Sequence, residues 1–326
     1  MTQTPRTQPL VATSIDLILQ GQAPTGAYLA APGYRTYAFS WIRDGSFLAA
    51  SMDAHRQTAS ARAFHLWVAR TVERYAHKVD RLAAELDVAG TGTGDPLRPL
   101  DDRYVLHTRF TMDGDETDQP WGNFQLDGYG FWLTSVLRHF AMSDGNLAPV
   151  RRAVDLVSRY LAMTWRSRCF DCWEEYPARR HMTTWAALAR GLRESEAAGI
   201  GPPGVAAEVE VSLKDAMGDA SILRKMVPEA LRSPDGNETN EPGAAIAGHE
   251  RLGRPLPPQS IDGSALLVLG DFGPFDPTGH VVRGTLAAIE DQLVVDGGVH
   301  RYLEDEYYGG GLWVCLLYTS PSPRDC

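Results

Sequence analysis

The chain has 326 residues, with 31 Lys and Arg against 41 Asp and Glu and a formal charge of −10. That balance excludes nucleic acid as a partner, because phosphate binding needs a concentrated basic face. No apolar run is long enough to span a bilayer, and Met1–Leu10 is polar without a secretory-type core, so a soluble, cytoplasmic protein with a sizeable core is expected.

In chain order, the apolar residues recur at helical spacing. Gly26–Ala30 is a short strand candidate. Phe64, Trp67, Val68, Val72, Tyr75, Val79, Leu82 and Leu86 trace one helical stripe, and Asp87–Asp102, rich in Gly, Pro and Asp, reads as a loop. Further stripes follow at Leu126–Phe140, Leu147–Trp165, Trp185–Leu192 and Val205–Met217. Arg232–Ser260 carries five prolines and is too long for a simple connection. A last stripe at Leu286–Leu293 precedes a second strand candidate, Val299–Leu303. Each stripe must bury one face, so the class is all-α. Helical pairs joined by chemically rich loops suggest a ring with its site at one end.

The chemistry concentrates in four stretches: SWIRDGSF (40–47), PWGNFQLDGYGFW (120–132), CFDCWEEYPARRH (169–181) and HRYLEDEYYGGGLW (300–313). Each sets Trp beside Asp, Glu or Arg, the mixture that binds sugars: an aromatic face covers the C–H surface while charged groups hydrogen-bond the hydroxyls. Trp173-Glu174-Glu175 is the sharpest. A carboxyl beside an indole, with a second carboxylate adjacent, has two reasons to hold its proton, as glycosidic bond cleavage requires. The same residues also admit a solvated acidic pair. Asp44 reads equally as the cap of a helix starting there or as a ligand to sugar hydroxyls, with Arg43, and Asp127 as a first-turn charge.

Four cysteines make no disulfide framework, and Cys169-x2-Cys172 lacks the second pair or histidines that a zinc site needs. The nine histidines show no ligand spacing and the glycine run after Tyr308 lacks a P-loop lysine, so neither a metal nor a cofactor is expected.

Taken together, APTGAYLAAP, WIRDGSF, WGNFQLDGYGFW, DCWEEYPARRHMTTWAAL and RYLEDEYYGGGLWV resemble, in order, the catalytic domain of glycoside hydrolase family 15, the glucoamylase-like enzymes. The resemblance implies an (α/α)6 barrel and an inverting exo-hydrolase releasing glucose from non-reducing ends of α-glucans, with α,α-trehalase as the alternative on the same scaffold. It implies Glu174 as general acid and Glu175 as a neighbour binding the sugar near the cleavage point. Arg43, Asp44 and Arg301 would hold hydroxyls of the terminal glucose, and Trp121 and Trp173 would shape the pocket and support the acid. The expected organisation is a lead over 1–22, a partial barrel over 23–314 lacking its last helices and its general base, and a non-native read-through tail over 315–326. A chain so divided is expected to be a sugar-binding fragment with negligible turnover.

Overall fold

The computed structural model describes residues 8–31, 33–89, 100–228 and 260–312. Within them the helices are α1 (Gln8–Gln20), α2 (Ile42–Ala54), α3 (Thr58–Arg74), α4 (Ala76–Ala89), α5 (Asp127–Met142), α6 (Arg151–Thr164), α7 (Met182–Ala197), α8 (Val205–Met217) and α9 (His280–Leu293). Two antiparallel two-residue pairs accompany them: β1 (Ser40–Trp41) with β2 (Arg109–Phe110), and β3 (Val294–Val295) with β4 (Gly298–Val299).

The helices divide by burial into an inner and an outer set. Thirteen of the sixteen residues of α5 and eleven of the sixteen of α7 are buried, the mark of helices enclosed by neighbours on several sides. By contrast α8 buries only Ala206, Val209, Leu213 and Met217, one stripe facing α7. The helices α2, α5 and α7 lie side by side on the inside, and each is followed by an outer partner, α3, α6 and α8. A 3-10 turn at Gly263–Leu267 packs on α7, with α9 outside it. This is the all-α toroid of helical pairs.

The inner helices are parallel. Arg43 and Asp127, in the first turns of α2 and α5, touch, and so do Asp53 and His139 near their last turns. Arg138 and Glu194, late in α5 and α7, also face each other, so the loops entering α2, α5 and α7 open on one end of the ring. Glycines let α5 and α7 approach closely: a Cβ on Gly191 would stand 2.4 Å from the Gly130 carbonyl oxygen, and one on Gly130 would stand 2.7 Å from that of Ala187.

Several sequence expectations change here. The stripe from Phe64 to Leu86 is two helices, broken at Tyr75, whose ring stacks on Phe110 and whose hydroxyl accepts the Glu116 N–H. Of the strand candidates, only a single bridge, Gln22 to Tyr28, and the pair at 298–299 form. The expected lead contains α1, whose Ile15 and Ile18 pack on the core. Asp44 does not cap α2. Trp41 holds that position because β1 runs straight into the helix, so Asp44 falls in the first turn. Most of the expected loops at 87–102 and 232–260, and the tail at 315–326, lie outside the described residues.

Gly191→Ala should lower stability by about 1–3 kcal/mol, as overpacking of a tight contact does. Gly284→Ala in α9, where the nearest atom lies at 3.6 Å, should be neutral or stabilising. Chemical denaturation midpoints check both, and equal losses would discount the glycine contact.

Candidate active site

Arg43 is the electrostatic centre of the open end. Its Nη1 donates to Gln125 Oε1 at 2.9 Å and to Asp127 Oδ2 at 3.0 Å. Its Nη2 stands 3.9 Å from Glu174 Oε1. Burial opposes its charge, but Asp127 and Asp44 outweigh that and hold the guanidinium well above its ordinary pKa. Asp127 is fully buried, and its Oδ1 also accepts the Gly128 N–H. Asp44 differs: 46% of its side chain is exposed. Its carboxyl is nonetheless raised by desolvation, against the pull of Arg43. Asp44 therefore lies in a recess crowded by protein yet open to water.

Glu174 is fixed by donors from distant segments. Its Oε1 accepts from Trp41 Nε1 at 2.9 Å, Trp121 Nε1 at 3.0 Å and Gln125 Nε2 at 3.1 Å. No described residue hydrogen-bonds Oε2. If the group is protonated, three N–H donors on Oε1 leave the proton on Oε2, because an oxygen crowded by donors serves as the carbonyl. Behind the two indoles lies Arg109, 1% exposed, its guanidinium 3.9 Å over Trp121 and 5.3 Å over Trp41. Burial lowers its pKa to about 10, against the opposing charge of Glu174.

The loop carrying Glu174 is strained and strapped. Glu174 and Tyr176 have φ of +66° and +51°, a left-handed conformation costing roughly 1–2 kcal/mol in a non-glycine residue. Asp171 closes the turn: its Oδ1 accepts the N–H groups of Trp173 (3.0 Å) and Glu175 (2.8 Å). Its Oδ2 accepts from Lys225 Nζ at 2.7 Å, and the same ammonium donates to Asp262 Oδ2 at 2.6 Å. Lys225 is 2% exposed. Burial would raise Asp171, but Lys225 and then His181 outweigh it and leave the carboxyl below its ordinary range.

Glu175 points elsewhere. Its Oε1 accepts from Arg301 at 3.1 Å and its Oε2 from the Tyr302 hydroxyl at 2.5 Å. Burial, and then the charge of Asp171, raises its pKa in spite of Arg301. Arg301 is 3% exposed and is gripped by Asp305 at 2.7 and 2.5 Å.

The structure thus gathers Arg43, Asp44, Trp121 and Glu174 around one recess, and joins Glu175 to Arg301 beside it. The indoles that secure Glu174, together with the Gln125 amide, are those of Trp41 and Trp121. Trp173 gives its indole N–H to Asp262 at 2.9 Å. Gln125 and Asp127 lie inside a quoted motif but were not separable there from a helix start. Arg109, Lys225 and Asp262 carry no local signal. Cys169 and Cys172 are both free thiols.

One carboxyl held on a single oxygen, an arginine and an exposed aspartate thus meet at the end of the ring. The family model described as Glycosyl hydrolases family 15 matches residues 5–320, and the chain belongs to that family. It is 35% identical over 312 residues to an isomaltose glucohydrolase from Kribbella flavida, covering 95% of this chain and 74% of that protein. Among solved structures it is similar to a wild-type glycosidase, with 31% identity and a TM-score of 0.76 over 96% of this chain and 77% of the other. Glucoamylase from Hormoconis resinae, at 16% identity, shares the fold with a TM-score of 0.59 over 95% of this chain and 55% of its own.

Lys225→Met should cost about 3–5 kcal/mol, because two buried carboxylates lose their shared cation. The pH dependence should change with it. Asp171 sits below its ordinary range, so its stabilisation is fully present above the unfolded value of about 3.9 and is lost as pH falls through the lower folded value. Denaturation at pH 7 and at stepwise lower pH should show this loss in the parent and not in the variant.

Proposed function

We propose that this chain carries the general acid and the glucose-binding subsite of an inverting, exo-acting α-glucosidase whose first substrate is an isomaltose-like α-1,6 glucoside. The observation that carries the reading is Glu174 Oε1 beneath three N–H donors, with Oε2 unclaimed by any described residue and Asp44 open beside it. The 35% identity to an isomaltose glucohydrolase supports the linkage.

In this reading Glu174 Oε2–H donates its proton to the glycosidic oxygen as the C1–O bond breaks and the leaving sugar departs as a neutral alcohol. Water adds to C1 from the opposite face, and its proton passes to a second carboxylate roughly 6.5–9.5 Å from the first. That base is not assigned among the described residues. Asp44 accepts hydrogen bonds from hydroxyls of the terminal glucose. Arg43 is held rigid by Asp127 and Gln125, so its remaining N–H groups meet the sugar without a large ordering cost. Trp121 and Trp173 wall the recess, and Glu175, held by Arg301 and Tyr302, faces the aglycone side.

In a protein that supplies the second carboxylate, glucose release from isomaltose should exceed that from maltose and from trehalose. Glu174→Gln in that enzyme should cut kcat by about 100- to 10,000-fold, the range for losing a general acid, with isomaltose binding by calorimetry kept. Asp44→Asn should weaken that binding. A Glu174→Gln protein that keeps its turnover would move the acid role elsewhere, and preference for trehalose would replace the substrate.

A further inference from the structure

The far ends of the inner helices carry a second chemical cluster, remote from the saccharide site. Asp53 lies near the end of α2, His139 near the end of α5 and His65 midway along the outer helix α3. Arg43 and Asp53 are about 15 Å apart along α2 at 1.5 Å per residue, so the cluster plays no part in proton transfer from Glu174.

The three side chains converge inside the protein. His65 is 0% and His139 1% exposed, and the Asp53 side chain is 5% exposed. One ligand-capable atom from each lies within 4.8 Å of the other two. His139 Nδ1 stands 2.9 Å from both carboxylate oxygens of Asp53. Neither ring nitrogen of His65, nor Nε2 of His139, has a hydrogen-bond partner among the described residues. The two imidazole centroids are 5.2 Å apart. Buried nitrogens are rarely left without partners, and three in one interior cluster beside a carboxylate call for a ligand.

We propose that Asp53, His65 and His139 bind one divalent transition-metal ion of the zinc type, a structural clasp joining α2, α3 and α5. Two imidazole nitrogens and one carboxylate oxygen suit Zn²⁺, Co²⁺ or Ni²⁺, whereas Ca²⁺ and Mg²⁺ prefer all-oxygen sets. At metal–ligand distances of about 2.0–2.2 Å two ligand atoms stand at most about 4.4 Å apart, so the cluster would tighten about the ion while the 2.9 Å contact of His139 with Asp53 opened to admit it. The carboxylate beside His139 is the partner that commonly orients or joins a metal-bound imidazole. A second grouping, Asp102, His107 and Glu116, is a poorer host. The Lys78 ammonium stands 2.8 Å from Glu116 and 3.9 Å from Asp102, supplying the cation already.

The ion would enter as the helices close, so the test loads it during synthesis. The chain is expressed with Zn²⁺, separately with Co²⁺, gel-filtered in chelator-free buffer, and its metal content measured. About one equivalent should remain, as a folded structural site retains its ion. His65→Gln and His139→Gln should lose it, and His107→Gln should keep it. The unsubstituted Co²⁺ protein should show imidazole nitrogen by X-ray absorption, a readout that does not depend on variants folding. Substoichiometric metal, equal retention by His65→Gln and the parent, or absorption without imidazole would each overturn the assignment.

Discussion

One oxygen atom organises the open end of this molecule. Glu174 Oε1 receives N–H groups from Trp41, where β1 enters α2, and from Trp121 and Gln125, on the loop entering α5. Three segments distant in sequence must therefore hold a fixed relation for one carboxyl to be placed. The parallel inner helices supply that relation, because their first turns lie side by side and carry Arg43 and Asp127 into contact. Arg43 in turn binds Gln125, one of the three donors, so the charged and neutral parts of the site brace each other.

The strain in the Glu174 turn shows what this placement costs and what offsets it. A left-handed glutamate persists only where the surroundings over-determine it. Here Asp171 closes the turn through two backbone N–H groups, and Lys225 fastens Asp171 to Asp262, which also accepts the indole N–H of Trp173. A buried ion triad is weak evidence of net stability. Its value here is geometric, since it holds the Glu174 loop against the segment that begins at residue 260. The two adjacent glutamates end up in different settings. Glu174 faces indoles and an amide, and Glu175 faces Arg301 and a tyrosine hydroxyl.

Much of the architecture was legible from periodicity. The stripes at 126–140, 147–165, 185–192, 205–217 and 286–293 all correspond to helices. The break at Tyr75 was not legible, because helical spacing continues through it and only the stacking on Phe110 explains the interruption. The start of α2 was open for a related reason: a local rule admits Asp44 as the cap, while strand pairing of Trp41 opposite Arg109 decides where the helix begins.

Helical periodicity by itself determined the all-α class, and the resemblance carried by the motifs pointed to the glycoside-hydrolase family and to Glu174, Arg43, Asp44 and Trp121, which the fold brings together at one end. Those are properties of short segments, and a short segment's spacing and chemistry survive in one dimension. Only the folded chain decided that Trp41, 133 residues from Glu174, joins Trp121 in holding it, that Trp173 turns to Asp262, and that Arg301 is gripped by Asp305. It also drew Asp53, His65 and His139 together from three helices with no ligand spacing between them. Hydrogen-bond direction and burial depend on how separate helices pack, and no local pattern encodes that distance.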